Sequence, residues 1–333
     1  MDGTKKRLFA AARWVVLAAL VGAAAWYAWE HPRLLAALGD VSPLALGVLL
    51  ALMLLGRLCQ GIQFRALCSV FDLELTFWEW FGLTVCKSMY GFLMPGRPGT
   101  ALQAVYLKKK HGFAFTKFGS LFAATNVLNA VTAGVVGLAA CGAEFLRGGP
   151  MPASVVLAAG FFLACSVGGA LVFVLATGSV KFLPFERLRR LGLRVQEGVD
   201  LFLAHPGVLG WVAGLVAVRY LLAGLALFVA GRSVGLELNL MQGILMASLG
   251  SFGLFLPLTP GGIGISEGII SGVAELLGLS PELAMLGALV KRAAGVLTVF
   301  VIGPMAQHIL TGKLSGDESG DEVLRPPGEG REE

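Results

Sequence analysis

From Gly207 to Gly231 the chain carries a single charged residue, Arg219, among apolar and small side chains. About 20 such residues are what a helix needs to cross the hydrocarbon core of a bilayer. There is no water there, so every backbone N–H and C=O must be bonded internally, which restricts spanning structures to helices and closed barrels. Comparable runs lie at 9–29, 43–69, 113–141, 153–177 and 281–310. About six full spans of this length and composition predict an all-α polytopic integral membrane protein. The formal charge of +5 would suggest nucleic acid in a soluble domain. In a chain that is 56% hydrophobic and 14% charged it reads as basic loops facing anionic lipid, and no nucleic-acid partner is expected.

Loop charge sets the expected orientation. Lys5, Lys6, Arg7 and Arg13 precede the first run, and Trp26, Tyr27 and Trp29 close it as an aromatic belt. This predicts an uncleaved first span with a cytoplasmic N-terminus, rather than a signal peptide cut near Ala23–Ala25. Arg57 and Arg65 lie towards the far end of the second run and place that end in the cytoplasm. The segment 181–206 holds Lys181, Arg187, Arg189, Arg190 and Arg194, while Phe185, Leu188, Leu191, Val195, Val199 and Phe202 recur at near-helical spacing. An amphipathic helix on the inner leaflet is therefore expected near 185–204. Residues 1–312 form the transmembrane domain in this reading. The Gly-, Asp-, Glu- and Pro-rich stretch 313–333 is expected to be a disordered, acidic cytoplasmic tail. The expected location is the cell (inner) membrane, with both termini cytoplasmic.

Two breaks interrupt this pattern. Leu256-Pro257-Leu258-Thr259-Pro260-Gly261-Gly262-Ile263-Gly264-Ile265-Ser266-Glu267-Gly268 places two prolines, several glycines and a carboxylate in apolar surroundings. Irregular backbone survives at membrane depth only when buried in protein or lining a wet cavity. The second break, Pro95-Gly96-Arg97-Pro98-Gly99, follows an apolar piece from Phe81 and precedes Lys108-Lys109-Lys110-His111. A full crossing before it would strand that lysine cluster outside, so the chain is expected to enter and return. Both breaks share a Pro-Gly-x-x-Gly pattern. They predict two re-entrant hairpins, near 81–107 and 240–278, related as an inverted repeat.

Each break offers an anion site. A half-helix starting near Thr100 or Ser266 presents unpaired amide groups and the positive end of its dipole. The tip backbone comprises Pro95, Gly96 and Gly99 in one half and Pro260, Gly261, Gly262 and Gly264 in the other. Arg97 adds a guanidinium suited to phosphate, although simple snorkelling to the interface would also place it there. Ser266 is a cap candidate. Glu267 either favours its own helix start or pairs with Arg292 or a cationic substrate group. Arg219 sits deep in its span, where ionisable groups are functional candidates; Lys87 and Lys291 are weaker ones. Asn126 and Asn129, a turn apart, suit cross-helix hydrogen bonds. The cysteines (Cys59, Cys68, Cys86, Cys141, Cys165) read as small buried hydrophobes. The histidines share no ligand spacing, so neither metal nor cofactor is expected. No nucleophile–histidine–acid set or phosphate-binding loop occurs, and the chain is not expected to be an enzyme.

The block from Leu256 to Gly268, with Leu277-Gly278-Leu279-Ser280-Pro281 and the Arg292 run after it, resembles the transmembrane region of lysylphosphatidylglycerol synthetases, a flippase-like membrane family. Leu93–Gly99 is a shorter match, and the resemblance extends over approximately 5–312. It implies a membrane domain that binds or moves a polar lipid, without the cytosolic catalytic domain of the synthetases. Where the family has a Glu and, a turn later, an Arg, this chain has Thr100 and Gln103, which makes those two positions candidates for the substrate contact. Asn126 and Asn129 stand where an Arg and an Asp are usual.

The expected function is translocation of a phospholipid-like or polyprenyl-linked lipid through a polar cavity between the hairpins. Arg97, Thr100, Gln103, Arg219, Ser266, Glu267 and Arg292 are the candidate substrate contacts. The alternative is a non-transporting lipid-binding subunit that scaffolds a lipid-modifying synthase or glycosyltransferase; an intramembrane enzyme on lipid phosphates is a third reading. Transport predicts that Arg97, Glu267 and Arg292 converge on an open cavity, whereas scaffolding predicts that they are paired and closed off. Small-residue faces such as Gly210-x-x-x-Gly214 permit a homo-oligomer.

Overall fold

The computed structural model describes residues 41–93, 98–147, 200–255 and 260–323, with shorter helical pieces between 152 and 198. The first run (9–29), most of the amphipathic segment, Pro95, Gly96, Arg97 and Cys165 lie outside the described residues. The described chain is helical and has no strand. It is an all-α polytopic membrane protein. Its helices are α1 (Pro43–Ser69), α2 (Phe77–Leu93), α3 (Pro98–His111), α4 (Phe115–Leu146), α5 (Pro206–Ser233), α6 (Leu240–Gly250), α7 (Phe252–Phe255), α8 (Ile265–Leu276) and α9 (Pro281–Val323).

Four of them, α1, α4, α5 and α9 up to Gly312, are long and apolar enough to cross a bilayer. The shortest, α1, has 27 residues, roughly 40 Å of helix against a core of about 30 Å. Ser42 caps it, its Oγ accepting from the Ala45 amide at 3.2 Å, and Pro43 opens the first turn. Large apolar side chains such as Trp211, Val218, Val301 and Met305 stand on the outer surface, as expected for faces turned to lipid. The last helix continues to Val323, into the stretch expected to be a disordered tail; the residues after it lie outside the described part.

Lipid tails are as apolar as leucine, so membrane helices associate by close packing rather than by escape from water. Here small residues permit that approach. A Cβ at Gly224 of α5 would lie 2.5 Å from the Ile244 Cα of α6, and one at Gly287 of α9 would lie 2.9 Å from the Gly231 Cα of α5. By contrast Gly210 and Gly214 have nothing within 4 Å and lie on the open surface.

The two broken regions fold as antiparallel helix pairs. In the first, Gly99 of α3 backs onto the Lys87 carbonyl of α2. Farther along, Gln103 Nε2 reaches the Leu83 carbonyl at 3.4 Å and the Tyr106 hydroxyl donates to Glu79 Oε1 at 3.3 Å. As numbers rise on α3 they fall on α2, so the two helices run antiparallel and the start of α2 lies beside the end of α3. That end of the pair is closed by charge. Glu79 accepts from the amide and hydroxyl of Thr76, both at 2.8 Å, in a Thr-x-x-Glu capping arrangement. Lys110 and His111, from the basic last turn of α3, lie 3.4 and 3.1 Å from the same carboxylate.

Glu79 sits outside the four spans, and its ionisation supports the hairpin. Burial pushes its carboxyl up, but the Thr76 amide and hydroxyl together with His111 outweigh this and hold it down at about 2. A depressed folded-state pKa means that the contribution is complete above the ordinary value of 4.5 and is lost as pH falls from there towards 2. The thermal midpoint in detergent should therefore drop over that window. Glu79→Gln should flatten that part of the profile and lower the midpoint already at neutral pH.

In the second pair, Ser266 Oγ on α8 donates to the Gly250 carbonyl of α6 at 2.8 Å, and Gly253 backs onto the Ser266 amide. A capping box starts α6, with Asn239 and Gln242 exchanging bonds at 2.9 Å. Between the arms, the tight turn Pro260–Gly262 packs against α2. Gly261 there has φ +60°, and a Cβ on it would lie 2.6 Å from the Phe92 ring. Only glycine fits both demands. The tip of the second pair thus meets the end of α2 that leads into the first break.

Candidate functional site

Two polar clusters lie at membrane depth. The first is at the second tip. Arg292, from the middle of the α9 span, pairs through Nε with Glu267 Oε1. Its Nη1 donates to the Gly261 carbonyl at 2.8 Å and its Nη2 to Gly262 at 3.3 Å. The other oxygen of Glu267 accepts the Gly264 amide at 2.9 Å, from the residue just before α8. One guanidinium and one carboxylate thereby meet the Gly261 and Gly262 carbonyls and the Gly264 amide, backbone groups that an irregular turn would otherwise leave orphaned in hydrocarbon. The Glu267 side chain is 5% exposed and that of Arg292 15%. The cluster is saturated and closed.

The second cluster lies in a cleft between α1, α2, α3 and α4, lined by Gln60, Gln63, Thr84, Lys87, Gln103 and Thr125 with Phe64, Phe118, Leu121 and Phe122. Behind Gln60, Arg57 donates from Nη1 to Gln60 Oε1 at 3.1 Å and to Ser88 Oγ at 2.9 Å. The side chain reaches across from α1 to α2 inside the bundle. Arg219 of α5 donates to Asn129 Oδ1 on α4 at 2.6 Å, and its Nε is buried without a partner. Arg219 also stands close enough to Arg57 for the two charges to repel. Neither arginine has a carboxylate at ion-pair distance among the described residues. Gln63 is 2% exposed, and its Nε2 has no hydrogen-bond partner. Buried donors left unmet are rare and costly, about 1–3 kcal/mol each.

A family model described as the lysylphosphatidylglycerol synthase TM region matches residues 8–303. The chain belongs to that family. No curated protein and no solved structure matches it. Membership in the lysylphosphatidylglycerol synthase TM region makes this a multi-pass membrane protein tied to lipid handling.

Against that background the predicted residues separate into groups. Glu267, Arg292 and Ser266 come together with Gly261, Gly262 and Gly264 at the closed tip. Gln103, buried at 3% exposure, lines the cleft, and Gly99 is packed on Lys87 above it. Thr100 is half-buried one turn before Gln103. Arg219 joins the cationic cluster through Asn129, which also accepts the Tyr220 hydroxyl on its carbonyl at 3.2 Å. Among the described residues Asn126 bonds its own helix, at the Phe122 carbonyl. Arg57, Gln60 and Gln63 were not singled out as site residues, yet their spacing of three puts a polar stripe on one face of an apolar helix. That stripe is the signal from which they are legible.

Proposed function

We propose that this membrane domain holds a lipid by its polar head in the cleft between α1, α2, α3 and α4 and carries it between leaflets. The observation that carries this reading is the cleft: a wall with arginines behind it and an unmet buried amide, at a depth where charge is expensive. With no carboxylate at ion-pair distance among the described residues, Arg57 and Arg219 are costly to folding and gain a counter-charge from a ligand. The two helix pairs are read as re-entrant hairpins, with the cleft opening beside the first. Family membership supports a lipid as the ligand, since a lipid's tails can remain in the bilayer while its head enters from the side. The chain acts as a carrier rather than an enzyme, and the Glu267–Arg292 clamp holds one wall in shape instead of contacting the head.

Leaflet exchange tests this. Proteoliposomes containing the full chain and a panel of fluorescent lipids should move at least one of them several-fold faster than empty vesicles, read by reduction of the accessible fluorophore. Equal exchange for every lipid would overturn transport. Saturable lipid binding without exchange would favour instead the lipid-binding subunit that positions a partner enzyme, a reading to which the closed tip lends weight.

A further inference from the structure

We propose that the cleft between α1, α2, α3 and α4 seats a halide-sized inorganic anion, such as chloride, as the counter-ion of Arg57 and Arg219. Two arginines and the size of the cleft carry this, independently of any lipid. Arg57 lies near the middle of α1 and Arg219 near the middle of α5, and these helices pack together. Arg219 stands within electrostatic reach of both Arg57 and Cys59. Arg57 bonds the neutral Gln60 and Ser88, and Arg219 the neutral Asn129, with its Nε buried and unmet. Among the described residues no carboxylate reaches ion-pair distance of either. Two like charges withdrawn from water without a counter-charge are costly, and a bound anion removes that cost.

The cleft beside Gln60 offers about 20 Å³ of free space, enough for one particle the size of a water molecule or a halide ion. Its described lining contains no carboxylate. Two amide side chains set its sign. Gln60 gives its oxygen to Arg57, which leaves its N–H groups for a ligand. Gln63, one turn on along α1, is 2% exposed, and its Nε2 is buried without an acceptor. A water would answer those amides and leave both arginine charges uncompensated. A halide accepts from the same N–H groups and supplies the missing negative charge as well, where the low dielectric makes that charge count most.

Equilibrium dialysis of the full chain in neutral detergent against radiolabelled chloride should show one saturable ion per chain. The thermal midpoint should lie a few degrees higher in sodium chloride than in sodium gluconate at equal ionic strength. Gluconate is too bulky for the space, and a ligand of the folded state stabilises it by mass action. Bromide should replace chloride. Arg57→Met and Gln63→Leu should each weaken chloride binding by about tenfold or more, the usual worth of a hydrogen bond or charge contact to an ion. In gluconate Arg57→Met should melt no lower than the wild type, which separates a lost ion from a lost fold. Equal midpoints in the two salts with no bound ion would overturn the anion and leave water in the space. Binding untouched by both substitutions would overturn this site for the ion. Chloride bound by a chain that exchanges no lipid would keep the anion site and sink transport; lipid exchange by a chain that binds no chloride would do the reverse.

Discussion

Arg292→Ala should be the most damaging single substitution at the second tip, lowering stability by about 3–5 kcal/mol, the usual cost of removing one partner of a buried pair. The reason lies in what the guanidinium holds. Its loss leaves the Glu267 carboxylate buried with the Gly264 amide as its remaining contact, and strips the Gly261 and Gly262 carbonyls of their donors. That turn has no regular helix to fall back on, since Gly261, Gly262 and Gly264 all have positive φ. In detergent the thermal midpoint should fall steeply. Arg292→Leu combined with Glu267→Leu should recover part of the loss, because two apolar side chains remove the stranded charge. A double variant as unstable as Arg292→Ala alone would show that the pair contributes through something other than charge compensation.

Arg57→Met should do the reverse, leaving the fold intact and removing function. Among the described residues Arg57 bonds the neutral Gln60 and Ser88, with no carboxylate at ion-pair distance, and it faces the repulsion of Arg219. A buried charge without a counter-ion is a burden on the folded state, and an apolar replacement of similar length is neutral or stabilising. Stability should therefore change by no more than about 1 kcal/mol, while leaflet exchange falls by about tenfold or more, the pattern expected where a site is kept at the expense of stability. Ser88 retains its own bond to the Thr84 carbonyl at 3.1 Å, so the wall need not collapse. Destabilisation equal to that of Arg292→Ala, or full exchange activity, would assign Arg57 to packing.

The contrast between these two arginines shows what could be read from the chain and what could not. Span positions were legible because length and apolarity alone decide them: the runs at 43–69, 207–231 and 281–310 match α1, α5 and the first part of α9. The run at 113–141 was cut short at its far end, since α4 continues to Leu146 with Glu144 buried near its last turn. Proline and glycine marked the break between α2 and α3, and the two helices pack antiparallel on either side of it. Glu267 and Arg292 were legible as candidates, and their pairing was among the readings of the residues. Arg57 was not, since an arginine in an apolar helix reads equally as a snorkelling end marker or as an inward charge. Which it is depends on Gln60 and on Ser88 of another helix. Long-range partners were likewise out of reach: nothing local to Glu79 announces His111, and nothing local to Asn129 announces Arg219.

The most direct measurement is photo-crosslinking from a lipid carrying a diazirine in its headgroup, with the full chain in proteoliposomes and the labelled peptides identified by mass spectrometry. A head held in the cleft predicts labels on the segments containing Gln60, Gln63, Lys87 and Gln103, with labelling lost on competition by unlabelled phosphatidylglycerol. Labels confined to the lipid-facing surface around Trp211 and Val218, or spread evenly over all spans and insensitive to competition, would contradict a headgroup site between α1, α2, α3 and α4.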